Sequence, residues 1–148
     1  YILDDEVEAV ESLHDHLVYD CEAEDTAVIH FRFLRGTLGA LAVGGGIPWG
    51  RNALELYSEA GAIISERSIA RVPDEVRVRV LRDGAWTEHT APNVDCFRTE
   101  IERFVNSLAH GGELPVPGSE GRQNLAVALA AYRSLQERRL VRLDEMTT

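Results

Sequence analysis

The chain has 148 residues, a formal net charge of −10, 45% hydrophobic residues and 27% charged residues. A chain of this length fits one domain and buries roughly 70% of the surface its unfolded form would expose, so one core can hold it. The acidic balance argues against nucleic acid or an anionic membrane as partner, since both need a basic stripe that displaces counterions, and no apolar run approaches the about 20 residues that cross a bilayer.

In chain order, residues 1–6 are acidic and begin at Tyr1 rather than Met. A signal peptide would need a basic and then an apolar stretch. The expectation is a fragment of a cytoplasmic protein. Residues 7–13 alternate weakly and read as a first strand, followed by an acidic turn over residues 20–25. Residues 26–34 form the clearest strand, with Ala27, Ile29, Phe31 and Phe33 on one face and Thr26, Val28, His30 and Arg32 on the other. Arg35-Gly36 turns the chain into a strand over residues 37–43, whose apolar residues on both faces predict a central position. The glycines and proline of residues 44–50 then make a loop.

A hairpin follows, residues 52–58 and 62–66, turned at Glu59-Ala60-Gly61. Val76, Val78 and Val80 alternate with Arg77 and Arg79, and Asp83-Gly84 is a strong two-residue hairpin turn leading to a return strand over residues 85–89. The period then changes. Phe97, Ile101, Phe104, Val105 and Leu108 make a helical stripe, capped by Asn93 or Asp95 and closed by Gly111-Gly112. Ser119 is placed to cap a second helix with the stripe Leu125, Ala128, Leu129, Tyr132 and Leu135. Residues 140–143 read as a short closing strand. Strands followed by helices predict an α+β fold: one domain over residues 1–148, with a predominantly antiparallel (mixed) open sheet and two C-terminal helices packed on one face. The other face, with His30, Arg32, Arg77 and Arg79 among apolar neighbours such as Val28, suits a partner surface.

All 15 basic residues other than histidine are arginine, so lysine chemistry is impossible within this chain. Cys21 and Cys96 stand in no metal-type spacing and are expected to be reduced. Gly44 and Gly46 begin a dinucleotide fingerprint, but Trp49 occupies the third glycine position and a strand follows where a helix is required. No dinucleotide binding is expected of the chain itself. His14 and His16 share a strand face, as a metal site would use, with Glu24 among the possible third ligands. Two imidazoles do not make a site, and the pair reads as a strand end; no metal is expected. No Gly-x-Ser-x-Gly elbow supports a hydrolytic triad, and Cys96, near His89 in sequence, opens a helix. Trp49, Arg51 and Asn52 combine an aromatic, an anion clamp and an amide in one loop. They either line a polar-ligand pocket or form an exposed loop with the tryptophan on the core edge.

In order, these elements resemble the C-terminal domain of the Gfo/Idh/MocA oxidoreductase family. The resemblance is carried by Glu24-Asp25-Thr26-Ala27, by Phe33-Leu34-Arg35-Gly36-Thr37-Leu38-Gly39, and by Leu54-Glu55-Leu56-Tyr57-Ser58-Glu59-Ala60-Gly61, where Ser58 replaces the usual glycine. It continues through Phe97, Ile101, Phe104 and Val105, then Gly112, Pro115, Gly118 and Gly121, then Ala130-Ala131-Tyr132-Arg133-Ser134 and Val141-Arg142-Leu143. Arg138 stands where the family often has glycine. The resemblance implies a parent enzyme whose N-terminal Rossmann domain binds NAD or NADP and which oxidises or reduces a sugar, cyclitol or similar polyol. It places the lysine of an E-K-P motif, and the catalytic Asp and His, outside this chain, so no catalytic or cofactor-binding residue is assigned here. It also implies a homo-oligomer through the open sheet face, and a loop after the third strand that reaches substrate, which favours Trp49, Arg51 and Asn52. A stand-alone α+β ligand-binding or protein-interaction module is the alternative.

Overall fold

A computed structural model describes residues 2–46, 52–67, 75–92 and 94–146. Its strands are β1 (Val7–Asp15), β2 (Thr26–Phe33), β3 (Leu38–Gly44), β4 (Ala53–Ser58), β5 (Gly61–Glu66), β6 (Val76–Arg82), β7 (Ala85–Ala91) and β8 (Val141–Arg142). The helices are α1 (Cys96–His110) and α2 (Gly118–Glu137), and a 3-10 turn follows over Leu143–Met146. The fold is α+β with antiparallel pairing throughout the described strands. Hydrogen bonding divides the strands into two four-stranded sheets, β3-β2-β1-β8 and β4-β5-β6-β7. Contacts cluster correspondingly into two compact units, residues 1–48 with 116–148, and residues 49–115.

In the first unit, the alternation of β2 is obeyed residue by residue. Ala27 is buried and Ile29, Phe31 and Phe33 are half-buried, while Val28, His30 and Arg32 point outward to varying degrees. Helix α2 packs on β1. The core consists of Val10, Ala130, Ala131 and Val141, flanked by Val7, Ile29, Phe31, Val127, Leu143 and Met146. The helix lies against the strand through Ala130, Ala131 and Ser134. The sequence-derived stripe on α2 falls elsewhere: Leu125, Leu129 and Tyr132 are 59%, 49% and 43% exposed. Small side chains let helix and sheet backbones approach closely, so the close-packed face need not be the one with the largest residues. Strand β3 is also not central. Among the described residues it pairs only with β2 and forms a sheet edge, so its apolar character does not report burial on both sides.

A buried polar seam joins α2 to β1. The Ser12 amide donates to Ser134 Oγ at 3.1 Å. Ser134 Oγ donates to the Arg139 carbonyl at 2.7 Å, and Ser12 Oγ donates to the Ala131 carbonyl at 2.6 Å. These bonds satisfy a stretch of the β1 edge that β8 is too short to reach, because β8 pairs only Ala9 and Val10.

In the second unit, Asp83 and Gly84 have φ of 51° and 75°, the double positive φ of the tight hairpin that the Asp-Gly pair predicts. Gly61 at φ 147° turns β4 into β5, and a Cβ there would lie 1.9 Å from the Leu81 carbonyl oxygen. Helix α1 starts at Asp95, whose carboxylate accepts the Arg98 amide, and ends at Gly111 in the left-handed region. Its first residue is Cys96; Cys96 and Cys21 are both free and exposed. None of the α1 residues is buried. Ser119 does not cap α2; the capping position is Pro117, with no side-chain bond.

Candidate functional site

One polar cluster of the first unit lies at an end of its sheet. Asp15, Thr26 and Gly44 form a row there, ending β1, opening β2 and ending β3. The loop between β1 and β2 is organised by Asp25. Its carboxylate accepts three successive backbone amides, those of Leu17, Val18 and Tyr19, at 3.0, 2.8 and 2.8 Å, and the Thr26 hydroxyl at 2.8 Å. These donors, the Tyr19 amide foremost, hold the Asp25 carboxyl far below the usual carboxylate range. The Asp25 carbonyl in turn accepts the Gly45 amide at 2.6 Å. Gly46 must lack a side chain, since a Cβ would come within 2.6 Å of a Val18 methyl.

Beside this frame, α2 presents Tyr132. Its hydroxyl lies 2.7 Å from each Glu24 carboxylate oxygen. The His14 ring meets the Tyr132 ring edge to face at 5.0 Å, and its Nδ1 lies 3.4 Å from Ser12 Oγ. The phenol's hydrogen bond lowers the Glu24 pKa, and the same bond raises that of Tyr132. Glu24 is therefore an ionised acceptor at neutral pH, and Tyr132 stays protonated. Carboxylate, phenol and imidazole together make a wall suited to hydroxyl-bearing ligands.

The candidates from sequence fall as follows. His14 and Glu24 come together, but through Tyr132, and His16 is held apart on the exposed loop with its amide on the Asp15 carboxylate. Among the described residues no group of three His, Cys, Asp or Glu side chains can hold a metal ion. Trp49 and Arg51 lie outside the described residues. Asn52 is described and exposed, immediately before β4, and its carbonyl accepts the Arg67 amide at 2.6 Å. Among the described residues the next element beyond the glycine run is β4 and not a helix; a pyrophosphate cradle needs a helix N-terminus at that point, so the described residues do not fit a dinucleotide. Tyr132 was missed as a polar residue because its partner Glu24 is 108 positions away and no local pattern links them.

The comparison with known families decides what kind of domain this is. The model of the oxidoreductase family, C-terminal alpha/beta domain (GFO_IDH_MocA_C), matches residues 4–143. The chain belongs to this family. As a Gfo/Idh/MocA C-terminal domain, it is 27% identical over a 154-residue alignment to myo-inositol 2-dehydrogenase of Thermotoga maritima, covering 99% of this chain and 46% of that protein. Among solved structures, aldose-aldose oxidoreductase from Caulobacter crescentus, complexed with glycerol, superposes with a TM-score of 0.77 at 21% identity, over 93% of this chain and 42% of that one. An oxidoreductase from Agrobacterium radiobacter, in complex with NAD+, L-tartaric acid and magnesium, gives a TM-score of 0.77 at 17% identity, over 95% and 44%. The two structures share the fold of this Gfo/Idh/MocA domain, and the chain spans about half the length of the relatives it matches. No described helix is long and apolar enough to cross a membrane.

Proposed function

We propose that this chain is the substrate-side and assembly domain of an NAD(P)-dependent oxidoreductase that acts on a sugar, cyclitol or similar polyol, and that it is inactive alone. The observation that carries the reading is the family match over residues 4–143, which spans both compact units and supports treating them as one domain. Relatives named for myo-inositol and aldose substrates, and one bound to NAD+, support the substrate class and the cofactor of the parent enzyme. NAD or NADP would be held by a separate Rossmann domain; the run that begins with Gly44 and Gly46 has Trp49 at the third glycine position and does not match the fingerprint.

On this reading Trp49, Arg51 and Asn52 contribute to the substrate wall. His14, Glu24 and Tyr132 form a second polar surface that can accept and donate hydrogen bonds to hydroxyl groups. The open face of the first sheet would carry self-association, since Leu13 and Leu38 are 73% and 70% exposed on it. A cytoplasmic location goes with the same reading. The test is the coding sequence upstream of Tyr1. A strand, a Gly-x-Gly-x-x-Gly turn and a helix within roughly 150 residues support it. An open reading frame that starts at this domain contradicts it and favours a stand-alone binding module.

A further inference from the structure

We propose that a cleft at the free edge of β1 binds a small organic anion, a carboxylate or phosphate monoester with an apolar body, and that Arg138 holds its charge. The cleft has a volume of about 450 Å3, and Leu13, Val28 and Leu135 form its apolar walls while the charged side chains of Glu11, Arg138 and Arg139 and the imidazole of His30 line the rest. That volume lies in the range of small-molecule sites, roughly 300–1,000 Å3.

Three observations converge on Arg138. It ends α2 in the left-handed region at φ 53° and ψ 44°. A residue with a Cβ is strained there, and glycine would hold the same turn freely. Strain of this kind persists where a side chain is needed for something other than the turn. Second, its charge is unmatched. Arg133 pairs with Glu137 and Glu145, Arg139 with Glu137 and Glu145, and Arg142 with Glu8 and Asp144. Arg138 has no carboxylate partner among the described residues, in a chain of net charge −10. Third, it faces the cleft rather than open solvent alone. There Glu11 stands opposite His30 in the β1–β2 register, and the other arginine lining the cleft, Arg139, is already held by Glu137 and Glu145, which leaves Arg138 as the guanidinium open to a ligand. A guanidinium takes carboxylate or phosphate oxygens in pairs, and the three apolar side chains fit a short hydrocarbon body.

The test is an NMR titration of the 148-residue chain, diluted below any self-association seen by light scattering because Leu13, Val28 and His30 also belong to the open sheet face. The probes are acetate and hexanoate, inorganic phosphate and butyl phosphate. Hexanoate or butyl phosphate is expected to give saturable shifts at the Leu13, Val28 and His30 amides, and to bind more tightly than its tail-less counterpart. Whichever of the two binds tells a carboxylate from a phosphate source. Arg138→Gly, which fits the turn and keeps the fold, is expected to weaken binding about tenfold or more. Leu13→Ser is expected to weaken the tailed probes only. No saturable shift with any probe, equal affinity in Arg138→Gly, or equal binding of tailed and tail-less anions overturns the proposal.

Discussion

Replacing Ser134 by alanine removes both hydrogen bonds of a side chain that is 1% exposed. The Ser12 amide, which donates to Ser134 Oγ at 3.1 Å, would be left without an acceptor at a residue that is 4% exposed. Leaving such a donor unsatisfied costs about 1–3 kcal/mol. The Arg139 carbonyl loses its 2.7 Å donor too, but it sits on an exposed residue where water can replace the bond. Alanine returns about 0.5 kcal/mol of helix propensity. The net loss is about 0.5–2.5 kcal/mol, against a total stability on the order of 5–15 kcal/mol for a native domain. At about 2–4 °C per kcal/mol for a chain of this size, the melting temperature should fall by about 1–10 °C. Denaturant titration and thermal unfolding measure the loss, and amide hydrogen exchange at Ser12 should accelerate in the same variant. Ser119→Ala, on an exposed position of the same helix, controls for propensity and should leave stability unchanged or slightly raised. A Ser134→Ala protein as stable as the parent, with Ser12 still protected, would refute the role given to this seam.

Gly61→Ala should cost about 2–4 kcal/mol, because it combines a forbidden φ with a Cβ placed 1.9 Å from the Leu81 carbonyl; loss of the folded Trp86 indole signal at a lower denaturant concentration measures it. Arg138→Gly should stabilise the chain by about 1 kcal/mol through relief of the left-handed turn, read as a raised denaturation midpoint. Acid should loosen the β1–β2 loop and the C-terminal ion cluster. Asp25 has a depressed folded pKa and Glu145 is lowered to about 2 by Arg139 and the Arg142 amide. Each contributes stability that is present above the unfolded carboxylate value and lost as pH falls through the folded one. Backbone amides of Leu17, Val18 and Tyr19 should therefore stay protected at pH 5 and lose protection only in strongly acidic solution, whereas Asp25→Asn should lose that protection at neutral pH.

Much of the fold was legible because its determinants are local. The period of two in β2 and the Asp83-Gly84 turn act over a few residues, and both appear where the pattern puts them. Asp95 and Gly111 close α1 for the same reason: caps satisfy nearby backbone groups. The position of β3 was not legible, since an apolar edge strand and a buried central one read alike. The face of α2 was misread because hydropathy favours Leu125, Leu129 and Tyr132, whereas close packing on β1 selects Ala130, Ala131 and Ser134. The division into two sheets is also long-range information. At the site, His14 and Glu24 were visible as polar residues, but only the fold brings Tyr132 between them. The family match reaches further than any one of these motifs, because it depends on their order along nearly the whole chain.

The central claim is that this domain belongs to a nicotinamide-dependent enzyme without itself holding the nicotinamide. Calorimetric titration of NADH and NADPH into the 148-residue chain tests that division of labour most directly. The account predicts no saturable heat with either dinucleotide. Stoichiometric, saturable binding of either one would contradict it.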